Sequence, residues 1–144
     1  AINSLVLNNN KIIRLKLKDF LEFKHVLMIN LEFNQINHID SYVFNYMKFV
    51  EIISLANNNL KVLDDFVFYG LFQLKKLNLS SNFIEALTKN LLEDLRSLRE
   101  LDLSNNKLRI IEDNSFKLLN QLRTINLLKN DFLLINNQSF TGLE

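Results

Sequence analysis

The sequence predicts an α/β solenoid: an arc with a parallel sheet on its concave side and irregular or 3-10 returns on its convex side. Three observations carry that expectation. The 144 residues divide into six units of 24. Seven apolar columns recur at that period, and one further column is asparagine without a break. Stacked repeats bury one continuous core, so residues 1–144 are expected to form one domain of six 24-residue repeats.

Each unit opens on Ile2, Val26, Val50, Leu74, Leu98 and Leu122. Three residues later come Leu5, Ile29, Ile53, Leu77, Leu101 and Ile125, and two after those Leu7, Leu31, Leu55, Leu79, Leu103 and Leu127. A stretch such as Leu77-Asn78-Leu79 alternates apolar with polar, as a short strand with one buried face does. Strands that recur once per unit with a return between them must lie parallel and adjacent. Parallel strands about 4.8 Å apart, with bulkier returns behind them, force the stack to curve.

The asparagine column follows: Asn10, Asn34, Asn58, Asn82, Asn106 and Asn130. It is either a turn former or a buried ladder bonding the backbone of adjacent turns. A buried carboxamide must have its hydrogen bonds met, and six occurrences at one phase, flanked by core positions, favour the ladder. The return then carries Ile12, Ile36, Leu60, Ile84, Leu108 and Phe132, and after them Leu15, Ile39, Leu63, Leu87, Ile111 and Ile135. Phe20, Phe44, Phe68, Leu92, Phe116 and Phe140 form an aromatic column expected to stack in the convex-side core. Leu92 interrupts it, so packing there either closes up or leaves a small void. Phe23, Met47, Leu71, Leu95, Leu119 and Leu143 close the unit. All 42 positions of the seven columns are apolar, where 48% hydrophobic content would place roughly 20.

Composition bounds the function. With 23% charged residues and a net charge of +1, the chain is neither disordered nor strongly basic, and no nucleic-acid partner is expected. The absence of cysteine removes disulfides, thiolate metal sites and cysteine nucleophiles. Two glycines and no proline leave the turns to 22 asparagines, which tolerate left-handed backbone. The opening Ala-Ile-Asn-Ser has neither a basic start nor an apolar run, so no signal peptide is read there. No apolar run approaches the roughly 20 residues of a spanning helix, so no membrane segment is expected. Core columns run from Ile2 to Leu143, so both ends are expected to be uncapped and the chain to be a segment of a longer array.

Motifs for catalysis are missing. His25 and His38 fall at different phases with no Asp/Glu/Cys cluster around them, and are read as solvated or partly packed. Asp64-Asp65, Glu93-Asp94 and the basic set Lys11, Arg14, Lys16 and Lys18 are read as solvated faces of returns. No nucleophile elbow, phosphate loop or zinc-protease motif occurs, so no catalytic residue, metal or cofactor is expected. Two N-x-S sequons stand at Asn78 and Asn137. Asn137 is placed on a return, where a glycan is easily accommodated. Asn78 is placed mid-strand on the concave face, which a glycan would obstruct.

Leu98, Leu101, Leu103, Asn106, Leu108, Ile111, Phe116 and Leu119 make one full unit that resembles the leucine-rich repeat family in its typical 24-residue, Phe-containing form. The resemblance runs over the whole chain. It implies a right-handed leucine-rich repeat arc of the kind found in Toll-like receptor ectodomains, adhesion molecules, small proteoglycans and secreted immune recognition proteins. It implies a non-enzymatic recognition module, secreted or on a cell-surface glycoprotein, whose concave face binds a protein ligand or co-receptor; a homodimer is left open. The alternatives are a structural spacer or dimerisation segment, and an intracellular scaffold regulating an enzyme. Lack of cysteine fits the last, but the Phe-bearing unit argues against it. Two departures from the family stand out: Lys16, Asp40, Asp64, Thr88, Glu112 and Asn136 occupy sites where it often has proline, and the cysteine-stapled caps of its extracellular members are absent.

Strand positions that point away from the core supply the candidate site. Leu27, Met28, Phe33 and Ile52 are apolar there, and Lys75, Lys76, Arg99, Glu100, Asp102, Arg123 and Lys129 are charged. An apolar patch rimmed by charge is the usual form of a protein-binding surface. The competing reading is that Phe33 and Ile52 merely cover neighbouring strands or meet another domain. The expected ligand-binding set is Met28, Phe33 and Ile52 as anchor, with Lys76, Arg99 and Asp102 giving orientation and salt dependence.

Overall fold

Each turn commits only a short stretch to the main sheet, because only the alternating segment has one apolar face. In the computed structural model, which describes residues 2–143, the elements run β1 (Ser4–Val6), β2 (Arg14–Leu15), η1 (Leu17–Phe20), β3 (Met28–Asn30), β4 (His38–Ile39), β5 (Ile52–Ser54), β6 (Lys76–Asn78), β7 (Ala86–Leu87), β8 (Glu100–Asp102), β9 (Ile110–Ile111), β10 (Thr124–Asn126) and η2 (Asn137–Phe140). The six strands β1-β3-β5-β6-β8-β10 form one parallel sheet in chain order. Register keeps the repeat period throughout: Leu5 faces Ile29, then Ile53, Leu77, Leu101 and Ile125. The returns are irregular or 3-10, with two short parallel ribbons, β2-β4 and β7-β9. The chain is therefore a parallel-sheet solenoid with little helix.

The core lies between sheet and returns. Phe44, Phe68 and Phe116 are completely buried. Phe20 meets Phe44 at 5.6 Å, Phe44 lies parallel to Phe68 at 6.3 Å, and Phe116 stacks on Phe140 at 5.7 Å. Leu92, also completely buried, takes the aromatic position in the fourth turn. The apolar columns are core in the middle turns but not everywhere. Ile2 is 59% and Ile135 76% exposed, while Leu5, Leu7, Leu122, Ile125 and Phe132 are only partly buried. A solenoid side chain is fully covered only with a turn on each side of it.

Five asparagines tie each turn to the one before. The Oδ1 atoms of Asn34, Asn58, Asn82, Asn106 and Asn130 accept the amides of Ile12, Ile36, Leu60, Ile84 and Leu108 at 2.9–3.0 Å. Their Nδ2 groups donate to the carbonyls of Leu7, Leu31, Leu55, Leu79 and Leu103, again at 2.9–3.0 Å. Each Nδ2 also bonds a carbonyl three residues back in its own turn. Asn10 differs: it is exposed and donates only to Leu7 and Asn8.

The residue before each ladder asparagine has left-handed backbone. Asn9, Phe33, Asn57, Ser81, Asn105 and Lys129 all have φ between 52° and 57°. This conformation lets the chain leave the strand and aim the next side chain inward. Asparagine accepts it readily, whereas other L-residues, Phe33 and Lys129 among them, are opposed by about 1–2 kcal/mol.

Replacing Asn82 with alanine should cost about 1–3 kcal/mol, because the buried Leu60 amide loses its acceptor. The exposed Asn59→Ala control should stay within about 0.5 kcal/mol. Denaturant midpoints compare the two, and equal shifts would mean that the ladder adds no net stability. In the aromatic column, Phe68→Ala should cost about 3–5 kcal/mol. Leu92→Phe should cost about 1–3 kcal/mol through overpacking, and a raised melting temperature for it would reveal slack in the fourth turn.

Candidate recognition face

Within each strand the middle residue turns into the core and its two neighbours face outward. That alternation, repeated from turn to turn, arranges the outward side chains in rows. Met28, Ile52, Lys76 and Glu100 are successive register partners in one row. Met28 is half-buried and Ile52 is 38% exposed, and Leu27 beside them is also exposed. The sheet thus brings Met28 and Ile52 together as one apolar patch. Phe33 is elsewhere. It sits in the turn after β3, with left-handed backbone, its amide bonded to the Ala56 carbonyl at 3.1 Å and its ring 52% exposed. Near-extended chain between them places it roughly 16 Å along from Met28. It is a separate apolar point at the far edge of the sheet.

The charged candidates differ in how free they are. Lys76 pairs with Glu100 at 2.9 Å, and its neighbour Lys75 with Glu51 at 2.7 Å. Asp102 Oδ1 accepts both the amide and the hydroxyl of Ser104, at 2.9 and 2.6 Å, and Oδ2 accepts from Asn126 at 3.5 Å. Arg99 is exposed and belongs to no ion pair among the described residues. Exposed pairs of this kind hold by only about 0–1 kcal/mol, so a partner can displace them at small cost.

Asn78 lies at the end of β6 rather than mid-strand, half-buried, with Oδ1 accepting the Ser80 amide at 3.0 Å. The same local turn recurs at Asn30, Asp102 and Asn126. Asn137 is exposed as the first residue of η2.

Off the sheet, the structure holds features that composition alone did not single out. Tyr42 stacks on Phe66 at 5.1 Å and meets the edge of Tyr69 at 5.3 Å, making an exposed aromatic cluster on the return side. The one-repeat step from Tyr42 to Phe66 was its signal. Arg14, expected to be solvated, bonds Asp40 at 2.6 Å, with His38 Nε2 3.4 Å from the same oxygen. The Arg14 hydrogen bond holds the Asp40 carboxyl below the usual carboxylate range. A cavity of about 550 Å³ lies under the last return, between Ile110-Ile111 and Phe132–Ile135. It opens where the backbone bonds of Arg109 to Glu85 and Glu112 to Leu87 have no counterpart at Leu133 and Asn136. It is an open apolar cleft, with Leu133, Leu134 and Ile135 exposed along it. Among the described residues, no three His, Cys, Asp or Glu side chains gather as a metal-ligand set, and no helix is long and apolar enough to cross a membrane.

Residues 48–108 match the family model described as leucine rich repeat. No curated protein matches. Among solved structures, the chain is similar to TLR13 in its complex with ssRNA13, at 27% identity and a TM-score of 0.71 over 99% of this chain. It is also similar to the leucine-rich repeat domain of APL1B, at 23% identity and a TM-score of 0.82 over 89% of this chain. It spans 23% of the first of those chains and 38% of the second.

Phe33→Asn keeps the left-handed turn with a residue suited to it, and should stabilise the chain by about 1 kcal/mol. Thermal melting checks this. A loss of stability would show that the Phe33 ring carries packing its exposure does not reveal.

Proposed function

From the premise that the chain is a leucine-rich repeat protein, we propose that it is a non-enzymatic recognition module. It binds a protein ligand or co-receptor through the concave strand face of a secreted or cell-surface receptor or adhesion protein, in innate immunity or a related setting. The observation that carries this reading is the apolar pair Met28 and Ile52. The two stand in register on an outward strand face, where exposed apolar side chains have no structural need to be. Charged rows adjoin them, giving an apolar centre with a polar rim, the anatomy of a protein interface. Met28 and Ile52 act as the anchor, with Phe33 as a second apolar contact. Arg99 is the free charge, while Lys76 and Asp102 contribute by exchanging their internal partners.

TLR13 was solved with ssRNA13, but a net charge of +1 and the carboxylates Glu51, Glu100 and Asp102 on this face favour a protein here. The six-repeat unit belongs, in this reading, to a longer array that carries other parts of the parent protein. A spacer role would leave Met28 and Ile52 without a partner, and a dimerisation role would set them against a second copy of this face. An intracellular scaffold would leave the sequons unused.

The test is site-specific photocrosslinking on cells or in extracts that hold the partner. A photoreactive side chain at Ile52 should trap a protein, and one at the return-side Val62 should not; equal trapping would refute a strand-face site. With that partner in hand, Phe33→Glu should weaken binding about tenfold or more at unchanged folded content, whereas the return-side Lys107→Glu should not. If the chain passes through the secretory pathway, Asn137 should carry a glycan that Asn137→Gln removes. Asn78, half-buried with its carbonyl engaged, should carry one less often. Intact mass of the secreted chain reads both.

A further inference from the structure

The charge pairing across the strand face stops short at one end. In the row just before the strands stand Glu51, Lys75, Arg99 and Arg123 as successive rungs. The Lys75 amide donates to Glu51, the Arg99 amide to Lys75 and the Arg123 amide to Arg99, at 2.7, 2.8 and 2.9 Å. Glu51 takes Lys75 at 2.7 Å, and in the next row Glu100 takes Lys76 at 2.9 Å. Asp102 is engaged by Ser104 and Asn126. Arg99 and Arg123 are left as adjacent rungs, both exposed, with no carboxylate in ion-pair reach among the described residues. Two like-charged residues on neighbouring strands, whose backbones lie about 4.8 Å apart, repel each other. The remaining charged rungs of the two rows, Glu51 with Lys75 and Lys76 with Glu100, are matched by opposite sign.

We infer that Arg99 and Arg123 form a clamp for a carboxylate on an acidic segment of a protein partner. This rests on the recognition reading above and gives it a chemistry. A guanidinium offers a rigid fork of donors that fits a carboxylate bidentately, and two forks on adjacent rungs converge on one anionic group. The partner class follows from what adjoins the clamp. Ile52 lies two strands from Arg99, about 10 Å away, with Met28 one strand beyond it. A segment that places a Glu or Asp and an apolar side chain about 10 Å apart on one side, as every third residue of a polyproline II chain does, meets both features at once. A nucleic-acid strand would satisfy the arginines but set phosphates against Glu51, Glu100 and Asp102 and leave the apolar pair idle.

The probe is a synthetic peptide, acetyl-Ser-Leu-Thr-Ser-Glu-Ser-amide, titrated into the isotope-labelled 144-residue chain by NMR. Amide shifts are expected at Ile52, Arg99 and Arg123. The affinity should fall about tenfold or more when both arginines become glutamine, when the peptide Glu becomes Gln, or at high salt. If the double arginine variant binds like the parent while Ile52→Glu does not, the clamp is overturned and the recognition face stands. If no shifts appear on the strand face, the clamp and that reading fall together. If a single-stranded RNA oligomer displaces the peptide from the same arginines at lower concentration, the partner is a nucleic acid and the protein assignment is overturned. A readout without ligand separates a clamp from a packing role: Arg123→Glu should raise the melting temperature by giving Arg99 a partner. A fall would mark Arg123 as structural and overturn the clamp.

Discussion

A carboxamide held between two backbones sets the spacing on which the rest of this molecule depends. Asn34, Asn58, Asn82, Asn106 and Asn130 each satisfy an amide and a carbonyl of the preceding turn with one short side chain. Those backbone groups sit where the chain leaves the sheet, at a corner where neither strand nor helix could pair them, and unpaired buried groups are costly. Because the side chain has fixed length, it also fixes how far one turn can slip past the next. The constant register of the strands, the stacked core and the outward rows all inherit that constraint.

Much of the fold was legible in the sequence because periodicity is itself physical. A column that stays apolar through successive turns is a line of contacts, and a strand that recurs at one interval has few topologies open to it. Legibility weakened where a position's fate depends on its neighbours and not on its type. Ile2 and Ile135 share the phase of buried side chains, yet stand exposed for want of cover. The left-handed backbone at Phe33 and Lys129 was hidden because the asparagines that advertise it at Asn9, Asn57 and Asn105 are replaced there.

The candidate face was legible as a surface and less so as chemistry. Alternation identifies which side chains point outward, but not which of them are already occupied. Lys76 and Asp102 read as free charges when taken singly; stepped by one repeat, Lys76 meets Glu100 and the arginines meet each other. Phe33 was grouped with Met28 as an outward strand position, although it lies in the turn after β3. Turn-to-turn adjacency, rather than proximity along the chain, is the coordinate in which such a surface has to be read.

The ladder also has a direction. From Asn34 onward every ladder asparagine reaches back: its own turn supplies the side chain, and the turn already made supplies an amide and a carbonyl that it satisfies. No turn is complete until the next has been synthesised. During synthesis each newly emerged repeat therefore brings the side chain that satisfies the one before it, like courses of brick laid wet on set mortar. Only the most recent turn then keeps these corner groups unpaired, however long the array.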